Sequence, residues 1–141
     1  MPRPKTGRAA RFRIFAALWA LLIFGLSSIP GAAFPPSKVL SQDKLLHAAV
    51  YAVLGALVFL ALNRRWARKT GVLVLIAGAT ATLYGFTDEF HQMFVPGRAS
   101  DLRDVLADGV GGFVGALIAS TVVAARAESG PARDADDPST K

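Results

Sequence analysis

The 141 residues are 52% hydrophobic and only 18% charged, with a formal net charge of +6, a balance too apolar for an ordinary soluble domain. The chain has no cysteine, which excludes disulfides, thiol catalysis and thiolate metal sites. The basic excess does not read as nucleic-acid binding, because Lys and Arg flank long apolar stretches and interleave with no exposed aromatic residues.

The first 13 residues are polar and basic, and a run without charged residues follows from Ile14 to Ile29, closed by Pro30. A basic start, an apolar middle and the small residues Gly31, Ala32 and Ala33 also fit a signal peptide. The run is longer than a usual signal core and close to the ~17 residues at the lower end for a spanning helix, so a retained first span is expected. A second span is predicted from about Leu45 to Leu62, a third from about Gly71 to Thr87 and a fourth from about Val105 to Ala125. Between the second and third lies the basic loop 63–69, whose Trp66 suits a membrane interface. From Arg126 the chain turns to Ala, Asp, Pro and Ser with no apolar pattern, the composition of a disordered tail. The expected division is a basic cytoplasmic amino terminus over 1–13, a membrane domain over 14–125 and a cytoplasmic tail over 126–141. The fold class is all-α, an integral membrane bundle of four transmembrane helices.

Orientation follows from the Lys and Arg distribution, since segments rich in these residues stay cytoplasmic. Arg3, Lys5, Arg8, Arg11 and Arg13 lie at the amino end, Arg64, Arg65, Arg68 and Lys69 in the middle loop, and Arg126, Arg133 and Lys141 in the tail. Lys38, Lys44, Arg98 and Arg103 remain for the other two loops, in company with Asp43, Asp88, Glu89, Asp101, Asp104 and Asp108. Those loops are expected to face outward, with both termini in the cytoplasm of a multi-pass cell-membrane protein.

Ionisable groups in a span are informative, because one at a helix centre costs about 2.5–3.5 kcal/mol to insert. Asp43, His47 and Tyr51 are spaced four apart, which makes one stripe descending about 6 Å per step. At the end of the third span Asp88 shares a face with His91 and Gln92, while Glu89 points off that stripe. The segment Val95-Pro-Gly-Arg-Ala-Ser100 reverses the chain, and Ser100 or Asp101 can cap the helix that follows. Asp104 and Asp108 repeat the four-residue step, and Gly111 with Gly115 forms a GxxxG pattern that permits close helix contact, within the chain or between copies. All these features fall at one predicted membrane depth.

The sequence resembles the VanZ-like family of bacterial membrane proteins. The likeness is carried by Ser27-Ser28-Ile29-Pro30, by Asp43-Lys44-Leu-Leu-His47 with Tyr51, by Asp88-Glu89-Phe-His-Gln92, by Val95-Pro96-Gly97-Arg98 and by the stretch from Asp104 to Gly115, and it covers about Leu18 to Leu117. It implies a multi-pass protein of the cell envelope whose founding member is associated with resistance to the glycopeptide antibiotic teicoplanin. It supplies no established reaction, and Asp108 stands where Asn is expected in many relatives.

The expected ligand-binding set is Asp43, His47, Tyr51, Asp88, Glu89, Gln92, Arg98 and Asp104, with His47, Asp88 and Glu89 as the catalytic candidates should the protein be an enzyme. A buried imidazole paired with Asp43 or Asp88 suits acid–base chemistry, or it merely hydrogen-bonds Tyr51 or a neighbouring helix. Arg98 suits a phosphate or carboxylate of a lipid-linked or peptidoglycan-related ligand, or it neutralises Asp88, Asp101 or Asp104. Lys44 reads as snorkelling to the interface and Asp43 as a cap. The two histidines with nearby carboxylates have the composition of a metal site, but no HExxH or comparable framework is present, so no metal and no cofactor is expected. The partners are the lipid bilayer and such a ligand, with no nucleic acid. A membrane enzyme and a non-catalytic scaffold are the competing readings.

Overall fold

A computed structural model describes residues 6–33, 40–63 and 70–129. The expectations for the extreme amino terminus, for Lys38, for the basic loop around Trp66 and for the tail from 130 onward lie outside the described residues. Four helices run in chain order: α1 (Thr6–Ser27), α2 (Leu40–Leu62), α3 (Thr70–Gln92) and α4 (Leu102–Glu128), with a short 3-10 turn at Gly31–Ala33. All four are long and apolar enough to cross a membrane, and no strand occurs among the described residues. Helices are what the bilayer demands, because each backbone N–H and C=O finds its partner inside the same segment.

The helices overrun the predicted spans. α1 begins within the basic segment, α3 continues past Thr87 to Gln92, and α4 starts at Leu102 and reaches Glu128. Hydropathy marks where the hydrocarbon begins and ends, whereas helical hydrogen bonding continues into the polar interface until a cap or turn stops it. At the start of α4 that cap is Asp101, whose side chain accepts from the Arg103 amide.

α4 is the central element, with half of its apolar window buried against 11% for α1. It packs most extensively on α2, then on α3, while α1 lies on the flank of α2. The contact with α2 is made backbone to backbone. A Cβ at Gly111 would run into the Ala48 carbonyl, one at Gly115 into the Ala52 carbonyl, and one at Gly55 into the Gly112 carbonyl. Lipid tails are as apolar as side chains, so close backbone approach and dispersion rather than hydrophobic exclusion hold such helices together. The approach that the GxxxG spacing permits is therefore used within the chain.

Two apolar clusters fill the interior. Phe59, Leu73, Ala77, Ala116 and Ala119 pack at the end remote from the acidic residues. Ile23, Tyr51, Leu54 and Ala81 form the second cluster, flanked by Trp19 and Tyr84. Large side chains face outward instead: Leu21, Leu75, Leu83, Leu106 and Ile118 are all exposed. In water an apolar surface of that extent would drive aggregation, and in a bilayer it is the lipid contact.

The glycine seam makes a direct prediction. Gly115→Ala drives a methyl group into the Ala52 carbonyl and should destabilise the bundle by about 1–3 kcal/mol, the usual cost of overpacking. Gly25 has open space around its Cβ position, so Gly25→Ala should be neutral, or stabilising by up to about 1 kcal/mol through helix propensity. Thermal unfolding of the two variants in detergent, followed by circular dichroism, separates them; equal melting behaviour would refute the seam.

Candidate functional site

The end of α1, the start of α2, the end of α3 and the start of α4 meet at one end of the bundle. Their polar side chains fall into two networks joined through Glu89.

The first network links α2 to α4. The Lys44 ammonium is hydrogen-bonded to Asp101 Oδ2 at 3.0 Å and to Asp104 Oδ1. One turn deeper, His47 Nδ1 lies 3.0 Å from Asp108 Oδ1, and the Asp108 side chain is wholly buried. An ionised carboxylate can only accept, so opposite an ionised Asp108 the proton of this contact sits on Nδ1. Asp43, at the start of the same stripe, has a carboxylate oxygen within 4.8 Å of ligand atoms of both His47 and Asp104. Asp101 sits outside the spans, where the Arg103 amide and then the Lys44 ammonium hold its carboxyl below the ordinary range.

The second network links α1 to α3. Ser27 Oγ donates to Asp88 Oδ1 at 2.6 Å, and Gln92 Nε2 donates to Asp88 Oδ2 at 3.0 Å. Both carboxylate oxygens of this buried residue are thus satisfied by neutral donors. Ser28 Oγ already gives its single hydrogen to the Phe24 carbonyl, so His91 Nε2, 3.0 Å away, is the donor in their contact. The His91 ring also lies on Phe24, with centroids 4.6 Å apart. Arg98 reaches back to the same helix, its Nε donating to the Ile29 carbonyl at 3.2 Å and an Nη to the Leu26 carbonyl at 3.3 Å. The turn that carries it is pinned by the Gly31 amide donating to the Pro96 carbonyl. Gly97 has φ +74°, and the Gly31 Cβ position is filled by the Gly97 backbone, so both glycines are required by the turn.

Glu89 joins the networks. Its Oε2 accepts from the Asp101 amide at 2.8 Å, which ties the end of α3 to the cap of α4, and it interacts electrostatically with Asp104 and His47. Its other oxygen, Oε1, is buried without a hydrogen-bond partner, as are Asp108 Oδ2 and the Tyr51 hydroxyl. Tyr51 lies beneath His47 on the α2 stripe, within electrostatic range of Asp88 and Asp108.

Of the residues singled out from the sequence, Asp43, His47 and Asp104 converge closely and Tyr51 lies below them. Asp88 and Gln92 belong to the α1 network instead, and Glu89 bridges. His47 pairs with Asp108, not with the expected Asp43 or Asp88, because the α2–α4 seam places those two turns opposite one another. Lys44, read as snorkelling, is an inter-helix ion-pair residue; one position from Asp43 in sequence, it gave no periodic signal of that contact. Ser27 and Ser28 were visible only as part of a resemblance block. Chemically the α2–α4 group offers an oriented imidazole, carboxylate acceptors for hydroxyl or amine donors, and one ammonium.

Beside Lys44 a shallow groove of about 550 Å³ runs down the outer surface between α2 and α4, lined by Leu45, Ala48, Leu106, Ala107 and Val110.

A sequence model of the VanZ/LLP1 family matches residues 9–123, which span all four helices except their outermost turns. Among curated proteins, a genome polyprotein of hepatitis C virus genotype 6h (isolate VN004) is 35% identical over 90 residues, which cover 57% of this chain and 3% of the polyprotein. Spans drawn from a few apolar residue types share identities through composition, so that likeness carries no functional implication. No solved structure matches the chain. With four membrane-length helices and a family match over most of its length, the chain belongs to the VanZ/LLP1 family and is a multi-pass membrane protein.

Proposed function

We propose that the protein lies in the bacterial cell membrane with both termini cytoplasmic, and that its polar end recognises the anionic head group of a lipid-linked or peptidoglycan-related ligand on the extracytoplasmic side. The observation that supports this best is the position of the apolar groove. It opens on the lipid-facing surface and ends at Lys44, beside Asp43, His47 and Asp104. A ligand with a hydrocarbon chain and a polar head has complementary surface in both places, the chain along Leu45, Ala48 and Leu106 and the head at the charged rim. Carboxylates there accept from sugar or amide donors, while Lys44 and the Arg98 guanidinium supply positive charge. Asp88, through Ser27, holds α1 against α3 and so keeps the rim in shape. On this reading the protein influences glycopeptide susceptibility by engaging wall precursors or their lipid carriers.

One observation favours an enzyme as the second reading. His47 is oriented through Nδ1 by a buried carboxylate, the arrangement in which an imidazole works as a general base, and Glu89 stands nearby as a second proton acceptor. An enzyme shows turnover of a lipid-linked precursor by purified protein, whereas a binder shows saturation alone.

Two outcomes follow. Because the chain has no cysteine, a single Met93→Cys variant in intact cells should react with a membrane-impermeant maleimide, and Asn63→Cys should react only after lysis; the reverse pattern would invert the topology. Replacing His47, Lys44 and Arg98 separately by Ala, with membrane accumulation confirmed, should reproduce the teicoplanin susceptibility and lipid-precursor levels of a deletion strain. Ala107→Trp, which fills the groove, should do the same. Wild-type behaviour in all four variants would defeat the ligand reading.

A further inference from the structure

The α2–α4 contact assembles a ligand set that neither helix holds alone. Asp43 and His47 lie one turn apart on α2, Asp104 comes from α4, and one ligand atom from each lies within 4.8 Å of the others. We propose that these three side chains bind one divalent transition-metal cation of the Zn²⁺ or Mn²⁺ class. The inference stands apart from the ligand reading above, because it concerns the bare cation.

Three features of the structure carry it. The first is the ring geometry: His47 Nδ1 is committed to Asp108 Oδ1 at 3.0 Å, and Asp108 is completely buried. Metal-binding histidines characteristically donate one ring N–H to a carboxylate, which fixes the tautomer and leaves the other nitrogen basic. The second is the charge balance. Asp43, Asp104 and Asp108 gather around the His47 ring, and Lys44 is hydrogen-bonded to Asp101 and Asp104. The third is independent of the cluster itself: Glu89, only 3% exposed, has one carboxylate oxygen without a hydrogen-bond partner and interacts electrostatically with Asp104 and His47. A buried carboxylate oxygen in that state is costly unless it is protonated or a cation lies beside it.

The donor chemistry selects the class of ion. An imidazole nitrogen with two or three carboxylates suits Zn²⁺ or Mn²⁺, whereas Ca²⁺ and Mg²⁺ prefer oxygen alone. Lys44 does not block the site, because a carboxylate has two oxygens: Asp104 can keep the ammonium on Oδ1 and turn Oδ2 to the ion. Three protein ligands leave open coordination positions at the rim.

The test uses the full-length protein in detergent, stripped with a chelator and titrated with Mn²⁺ while the electron paramagnetic resonance signal of the free ion is followed, with Zn²⁺ as competitor. Saturable binding of one Mn²⁺ per chain, displaced by Zn²⁺ and not by equal Ca²⁺, is the expected result. Asp43→Asn, His47→Gln and Asp104→Asn should each weaken it roughly tenfold or more, and Asp108→Asn, acting only through the ring, by about tenfold to a hundredfold. His91→Ala, on the α1 network, should leave the affinity unchanged. Asp43→Asn, at the half-buried margin of α2, is the variant least able to disturb the bundle, and helical circular dichroism checks all five. Lack of saturation by either ion, unaltered affinity in Asp43→Asn, or equal loss in His91→Ala would overturn the proposal.

Discussion

The backbone contact between α2 and α4 is the constraint on which the other features depend. With Gly111 against Ala48 and Gly115 against Ala52, the two helices are locked in depth and in rotation. One turn nearer the polar end, the same register sets His47 opposite Asp108 and Lys44 opposite Asp104. A bulkier residue in the seam would separate the backbones and lengthen each of these polar contacts together. Packing in the apolar half of the bundle and electrostatics in the polar half are thus one mechanical unit.

The polar end is organised so that most of its charge is compensated across helices. Asp88 is satisfied by a serine from α1 and a glutamine one turn on. Asp104 and Asp101 share the Lys44 ammonium, and Asp108 is met by an imidazole. Each pair that crosses between helices fixes the relative position of two segments, since a charge left unpaired at that depth costs more than the pair itself contributes. The three oxygens without partners, on Tyr51, Glu89 and Asp108, all belong to the region between α2, α3 and α4. No hydrogen bond among the described residues engages these three oxygens, which sets them apart from the paired groups around them.

α1 plays a different part. It buries little of its surface and is held by polar contacts along its second half, including Trp19 Nε1 to the Val50 carbonyl and the Tyr84 hydroxyl to the Ala20 carbonyl. Arg98 and the Gly31–Pro96 contact fasten the turn before α4 to the end of α1.

The sequence by itself determined the class of molecule, the number of spans and the end at which polar groups gather, because these depend on local quantities: the length of an apolar run, the spacing of residues on a helix face, the position of a Pro-Gly turn. The blocks around Asp43–Tyr51, Asp88–Gln92 and Asp104–Gly115 likewise carried the family, which the match over residues 9–123 bears out. Only the tertiary structure decided which acid meets which base. His47 and Asp108 are 61 residues apart and Lys44 and Asp104 are 60 apart, and several carboxylates of equal chemistry compete for each. That choice turns on helix rotation and depth, set by where two backbones can touch, and no single segment contains it.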